Sequence, residues 1–425
     1  MTKKTERTVI LAYSGGLDTS VMLHWLKHDQ GCTVVAYCAD VGQAEDFAAL
    51  REKAFGSGAA EVYIEDLRGT FVRDFAWMAL KAGAVYEGTY LLGTALARPV
   101  IAAGQIALAR QLGAATVAHG ATGKGNDQLR FELSYYALAP DIQVIAPWRE
   151  WDLKGRSELI KYCQKHHIPT TASIEKPYSI DHNLMHCSYE GGILEDPWNE
   201  PPADMFRLTK SPADGPEQGL DMIIGFRSGE PVSIDGVELA PIAMLERLNG
   251  LAGEHGIGRV DLVENRAVGL KSRGIYESPG MTVLHIAHQT LETITLDREV
   301  QRLKASLAQK FAEMIYNGFW YSPENVLLRT LVDETQQFVT GEVRVRLYRG
   351  NVIVTGRRSP YALYNQQLAS FETDHHYDQR DSAGFIKLQA LRLRTLAARL
   401  PDANAARTTK SMPAGSLAVS EGGAI

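Results

Sequence analysis

Apolar runs and helical periodicity alternate through the first part of the chain. Val9 to Ala12 carries no polar alternation, the mark of a strand buried on both faces, and TVVAYC (Thr33 to Cys38), Glu61 to Ile64 and Thr116 to Ala118 read as three more short strands. Helices are predicted between them. One opens at Asp18, Thr19 and Ser20 and continues from Val21 to Leu26; a second covers Glu45 to Phe55. A third, Leu67 to Ala82, turns Phe71, Phe75, Met78 and either Leu80 or Val72 toward a core, and Leu91 to Leu108 forms a buried helix ending near Leu112-Gly113. Strands alternating with helices predict right-handed βαβ units on a parallel sheet.

The alternation stops near Ile168-Pro169. From Thr170 onward short strands, Gly/Pro turns and polar loops such as Lys210 to Gly219 predict an α+β domain that caps the first. Thr293 to Phe319 has long helical periodicity, and Ser322-Pro323-Glu324 supplies a cap and an N1 proline for the next helix. Glu342 to Tyr348 alternates, and after Arg349-Gly350 the strand Asn351 to Thr355 completes a hairpin with Arg344 and Arg346 off one face. That face reads as solvated or inter-subunit in preference to a nucleic-acid patch. Lys387 to Leu400 is an amphipathic helix carrying Leu388, Leu391, Leu393 and Leu396. The organisation expected is a nucleotide-type domain over 1–169, a second domain over 170–380, a helix over 381–400 and a disordered tail over 401–425, rich in Ala, Ser, Thr and Gly.

A chain of 425 residues buries a large core, and a net charge of -6 gives no global attraction for nucleic acid. Cys32, Cys38, Cys163 and Cys187 show no CxxC or zinc-like spacing and are expected as reduced thiols. His375, His376 and Asp378 invite a metal reading, but adjacent histidines do not share a helical or strand face. The polar start MTKKTERTVI has no apolar signal region, and Leu91 to Leu108 is broken by Arg98, Pro99, Gly104 and Gln105. The expectation is a cytoplasmic protein with neither membrane nor nucleic acid as partner.

Chemistry concentrates at two strand ends. After the first strand comes SGGLDTS: Gly15 and Gly16 turn the chain, a helix N-terminus offers unpaired amides and a positive dipole end, and the hydroxyls of Ser14, Thr19 and Ser20 add donors. Phosphate is the natural occupant. After the fourth strand, His119 to Arg130 packs glycines beside Thr122, Lys124, Asn126, Asp127 and Arg130, an inventory that suits a zwitterionic amino acid next to a phosphate site. Ala39 to Gln43, after the second strand, is also placed where a nucleotide would lie, although its spacing alone reads first as an ordinary strand-to-helix connection into Glu45 to Phe55.

SGGLDTS resembles the pyrophosphate loop of the ATP pyrophosphatases and is not a Walker loop, since Gly123-Lys124 is followed by Gly125 and preceded by Ala118 where the first glycine belongs. Together with YLLGTALARP, AHGATGKGNDQLRFE, PYSIDHNLMHCSYEGGILEDP and VENRAVGLKSRGIYESPG, it is similar to the argininosuccinate synthase family over about residues 7 to 390. The resemblance implies an α/β fold: an adenine nucleotide alpha hydrolase-like N-terminal domain with a parallel sheet, a C-terminal α+β synthetase domain and a C-terminal oligomerisation helix in a homotetramer. It implies a ligase of arginine biosynthesis that joins L-citrulline to L-aspartate, using ATP and Mg2+ and releasing AMP and diphosphate through a citrulline adenylate. Position by position, Ala12, Tyr13, Ser14, Gly15, Gly16, Leu17, Asp18, Thr19, Ser20, Ala39 and Gly120 match ATP-binding positions. Thr122, Asn126 and Asp127 match aspartate-binding positions; Tyr90, Asn126, Arg130, Ser179, Ser188, Glu264 and Tyr276 match citrulline-binding ones. Asp18, Asp127 and Arg130 are the candidates for catalytic roles, Asp18 also for a contact to magnesium.

Two positions depart from the family pattern. Ala95 stands where family members often carry a serine that contacts citrulline, so a water or Thr94 has to substitute; His182 replaces a common glutamate and is expected to be peripheral. The alternatives are another ligase with the same loop, which would need a catalytic cysteine pair, an RNA-binding module or a glutaminase domain, and a nucleotide-binding sensor of similar fold that hydrolyses nothing.

Overall fold

The unbroken apolar runs become strands covered on both faces. In the computed structural model, which describes residues 7–153, 155–169, 178–369 and 377–400, β1 (Thr8–Ala12), β2 (Thr33–Asp40), β3 (Glu61–Asp66), β4 (Thr116–Ala118) and β5 (Gln143–Ile145) form one parallel sheet in the order β3-β2-β1-β4-β5. Ile10 lies between Val35 and Val117. Val9 and Leu11 pack with Val21, Met22 and Leu26 on one side; Ile10 and Ala12 pack with Tyr37, Ala102 and Ile106 on the other. The fifth strand is beyond what the sequence pattern revealed, because only Ile145 of its three residues is buried and it lacks the apolar character that marks the equally short β4.

The intervening helices are α1 (Leu17–His28), α2 (Phe47–Gly56), α3 (Arg68–Thr70), α4 (Trp77–Ala82), α5 (Gly93–Gln111), α6 (Asp127–Leu138), α7 (Pro147–Glu150) and α8 (Arg156–His166). Between α3 and α4 the backbone widens to a π-helical turn over Phe71–Ala76, so the predicted single helix is continuous but not uniform. Phe71, Phe75 and Met78 are buried as expected, and Val72 and Leu80 are both buried where the periodicity offered one or the other; Phe75 stacks on Trp320 at 4.3 Å.

Beyond residue 178 the strands are antiparallel. A four-stranded sheet runs β11 (Arg259–Asn265), β12 (Lys271–Glu277), β7 (His186–Glu190), β6 (Ser179–Asn183). A five-stranded one runs β10 (Val237–Glu238), β9 (Glu230–Ile234), β8 (Leu220–Arg227), β13 (Gly341–Tyr348), β14 (Asn351–Arg358). The predicted hairpin is β13 and β14. Arg346 is ion-paired with Asp221 at 2.9 Å and Arg344 bonds Thr355, so both guanidiniums are engaged within their own sheet.

Helices α9 (Pro241–Glu254), α10 (Pro279–Thr295), α11 (Arg298–Tyr316) and α12 (Pro323–Gln336) complete this part. The single helix expected over Thr293 to Phe319 is two: Leu296 is extended (φ -97°, ψ 138°), and the Asp297 carboxylate accepts from Glu299 N at 2.8 Å to start α11. A cap overrides periodicity here, because satisfying free amides favours a new helix start. Ser322 caps α12 as read.

By its contacts the chain is one compact unit up to Leu363 and a second from Tyr364. Within the second, α13 (Gln366–Ala369) precedes α14 (Asp381–Arg399), which begins six residues earlier than the apolar periodicity suggested and exposes Leu388, Leu391, Leu393 and Leu396. All four cysteines are free and buried. His375, His376 and the 401–425 tail lie outside the described residues.

Candidate active site

Strand order decides where ligands can sit. From β1 the chain moves outward to β2 and β3 and then returns to β4 on the opposite side of β1, so the carboxyl ends of β1 and β4 flank a topological switch point with a crevice between their loops. Both informative loops leave from there. The first turns at Gly15, whose φ of 69° suits glycine, and enters α1 at Gly16, where no side chain caps the helix. The α1 amides are therefore free for an anion. Ser14 Oγ lies 3.3 Å from Thr19 Oγ1, and Tyr13 OH 3.3 Å from Ser20 Oγ, so these hydroxyls gather around the turn. Lys53 on α2 donates to Gly15 O and adds a cation that the sequence reading did not single out.

The second loop abuts the first. A Cβ on Gly120 would come 2.9 Å from Thr19 Cγ2, so only glycine lets this backbone lie against α1. Beyond it Gln128 Nε2 donates to Gly123 O at 2.7 Å and to Gly125 O at 3.2 Å, holding the turn that presents Thr122.

Tyr90, Gly120, Thr122, Asn126, Asp127, Arg130, Ser179, Ser188, Glu264 and Tyr276 all line one cavity of about 220 Å³. They come from α5's approach, the β4 loop, α6, β6, β7, β11 and β12, so every residue matched to an amino-acid substrate is brought together. Of the ATP-matched residues only Gly120 joins them; Ala12 to Ser20 and Ala39 lie outside that lining. Lys124 and His182 also do not line it, and Ala95 is fully buried in the core, whereas Thr94 faces the cavity.

Charge in the cavity alternates in sign. Arg98 Nε donates to Asp127 Oδ2 at 2.9 Å and its Nη2 to Asp181 Oδ2 at 2.7 Å, while Arg130 Nη1 reaches Asp127 Oδ1 at 2.8 Å and Arg130 Nε reaches Tyr316 O at 3.0 Å. Burial opposes ionisation of Asp127, but the two guanidiniums prevail and hold its carboxyl below the usual carboxylate range. Burial pushes Glu264 up, although Tyr276 OH donates to it at 3.1 Å. It likewise raises Glu190, against the pull of Arg266 at 2.6 Å. Asn126 Oδ1 accepts from Ala267 N at 3.0 Å, which fixes its amide and leaves Nδ2 as donor. Four carboxylates (Asp127, Asp181, Glu190, Glu264) facing three guanidiniums (Arg98, Arg130, Arg266) suit zwitterions and disfavour a polyanion.

Arg98, Asp181, Glu190 and Arg266 were not recognised as site residues from sequence. In the sequence Arg98 reads only as an interruption of an apolar run, and Asp181 sits inside the SIDHN motif, the signal that points to it.

Residues 8–169 match the family model for the arginosuccinate synthase N-terminal HUP domain and 178–396 that for the arginosuccinate synthase C-terminal domain. The chain is 56% identical over 393 residues to the argininosuccinate synthase of Syntrophus aciditrophicus, covering 92% of this chain and 98% of the relative. It is 55% identical over 391 residues to that of Desulfatibacillum aliphaticivorans, covering 92% and 98%. A solved structure described as a predicted subunit of tRNA methyltransferase from Methanocaldococcus jannaschii matches over 37% of this chain and 75% of its own, with 18% identity and a TM-score of 0.28.

Proposed function

The chain belongs to the argininosuccinate synthase family, and on that premise we propose how its cleft divides the reaction among its residues. The enzyme is an ATP-dependent ligase that condenses citrulline with aspartate and releases AMP and diphosphate. The observation that carries the division is the separation of two environments across Gly120: a helix start without a side-chain cap on one side and a mixed-charge cavity on the other.

The nucleotide lies along Ala12 to Ser20, Ala39 and Gly120, its phosphates on the α1 amides and the Ser14, Thr19 and Ser20 hydroxyls. Citrulline occupies the side formed by Tyr90, Asn126, Arg130, Ser179, Ser188, Glu264 and Tyr276; aspartate the side formed by Thr122, Asn126 and Asp127. Arg130, with Nε and Nη1 engaged by Tyr316 O and Asp127, donates to a carboxylate through its remaining Nη2, and Glu264 accepts from an ammonium or ureido N–H. The ureido oxygen attacks the α-phosphorus, and the aspartate amine then displaces AMP from the activated carbon. Side chains position and neutralise charge and form no covalent intermediate.

Asp18 fits a cation contact, because burial raises its pKa, so bringing positive charge near it relieves a cost the fold leaves in place. No group of three ligating side chains stands ready among the described residues. Mg2+ carried on the phosphates would be held by them and by Asp18, and would supply charge neutralisation for the departing diphosphate. The same reading takes the protein as a cytoplasmic homotetramer; no helix among the described residues is long and apolar enough to cross a membrane.

Citrulline labelled with heavy oxygen at the ureido carbonyl tests the route. With ATP, magnesium and aspartate, the label is expected in the AMP phosphate, alongside argininosuccinate that vanishes when aspartate is omitted. Unlabelled AMP would point to another acceptor, and no AMP to a protein that only binds nucleotide.

A further inference from the structure

His186 opens β7 beside the cleft without being part of its lining. It is fully buried, its ring near-parallel to that of Tyr276 (11°, centroids 6.0 Å apart), and it lies so close over Gly93 that a Cβ there would stand 2.5 Å from the imidazole. Asn183 maintains this approach. Its Nδ2 donates to Gly93 O at 3.1 Å, and its Oδ1 accepts from Met185 N and His186 N at 2.9 and 3.3 Å.

His186 Nε2 is 2.9 Å from Thr94 Oγ1, and the same hydroxyl is 3.1 Å from Asp181 Oδ2. Asp181 is ion-paired with Arg98, and a carboxylate only accepts, so the Thr94 proton goes to Asp181. The imidazole must then donate through Nε2–H. Burial pushes its pKa down to about 4, leaving one ring proton at neutral pH, and this bond fixes that proton on Nε2. Nδ1 consequently keeps a lone pair with no hydrogen-bond partner. A buried nitrogen without a partner is destabilising, and an apolar side chain in its place would remove that cost. What an apolar side chain lacks is the donor to Thr94.

We propose that His186 is a positioning residue for citrulline, acting through Thr94: it holds the threonine hydroxyl so that the one uncommitted lone pair of Oγ1 accepts a nitrogen-bound hydrogen of the substrate. Thr94 is suited to this because it lines the cavity and its amide donates to Tyr90 OH at 3.2 Å, on the citrulline side, while Ala95 beside it has no hydroxyl to offer. The proposal rests on the assignment of that side to citrulline.

A double-mutant cycle tests it, with steady-state constants for all three substrates measured for Thr94→Val, His186→Asn, the pair, and His186→Gln. Asparagine carries its amide nitrogen where Nδ1 was; glutamine reaches the position of Nε2. Each of Thr94→Val and His186→Asn is expected to raise the citrulline KM about five- to tenfold, the worth of roughly one hydrogen bond, with kcat and the other KM values within about threefold. The double variant should be no worse than the weaker single, and His186→Gln should lie within about twofold of wild type. If His186→Asn does not fold, His186→Leu replaces it in the cycle. Multiplying effects in the double variant, or an equal loss toward all three substrates that glutamine does not rescue, would overturn the role of His186. Wild-type protein that neither binds nor turns over citrulline would overturn the functional assignment, and this proposal with it.

Discussion

Asp18 is a carboxylate placed one residue into α1, beside the free amides of its first turn, with Arg156 opposing the upward push of burial. Removing it takes away the acidic group of the SGGLDTS turn. Asp18→Ala is expected to cut turnover at least about a hundredfold, the scale on which misplaced charge stabilisation usually costs an active site, while thermal stability holds or rises slightly because a desolvated charge is gone. Near-normal turnover would take Asp18 out of the mechanism. At this scale most of the site was legible: the turn glycines, the hydroxyls and Asp127 are residue types whose chemistry speaks in any context. Arg98 and Asp181 were not, because their importance is a pairing, Nη2 to Oδ2 at 2.7 Å, between residues far apart in sequence.

Elements were predicted best where apolar positions repeat over several turns, and worst where a short run or a cap decides the outcome. The three-residue strand β5 escaped notice, and the Asp297 cap split a helix whose periodicity read as continuous. Ser322 was the opposite case, a cap visible in advance. Its Oγ accepts from Asn325 N at 3.3 Å, and Asn325 is fully buried with Nδ2 donating to Trp320 O at 2.8 Å, so the cap anchors the start of α12 to the core. Ser322→Ala should lower stability by about 1 kcal/mol in urea unfolding, and Ser322→Gly by only a few tenths, with kcat unchanged in both. Equal losses for the two substitutions would show that the side-chain oxygen does not cap this helix.

For the molecule as a whole, α14 carries a row of exposed leucines along nineteen residues, a pattern that needs a covering surface. On the homotetramer reading, light scattering of the full chain should give four times the monomer mass, and a chain ending at Arg380 should give a smaller assembly. A truncated chain that keeps the full mass would remove α14 from the assembly. The sequence by itself determined the parallel sheet and the glycine turn that opens α1, since buried strands and a φ-positive glycine are local in their physical cause; the candidate substrate residues were named by resemblance to a family, motif by motif. Only the tertiary structure decided that β4 returns beside β1, that Gly120 lies against Thr19, and that ten residues from α5's approach to β12 close one cavity. It alone showed His186 bound to Thr94 and Arg98 bridging two aspartates. Such contacts depend on distance through space, which chain order does not encode; they exist because burial brings distant side chains into a medium where each polar group must find a partner or bear the cost.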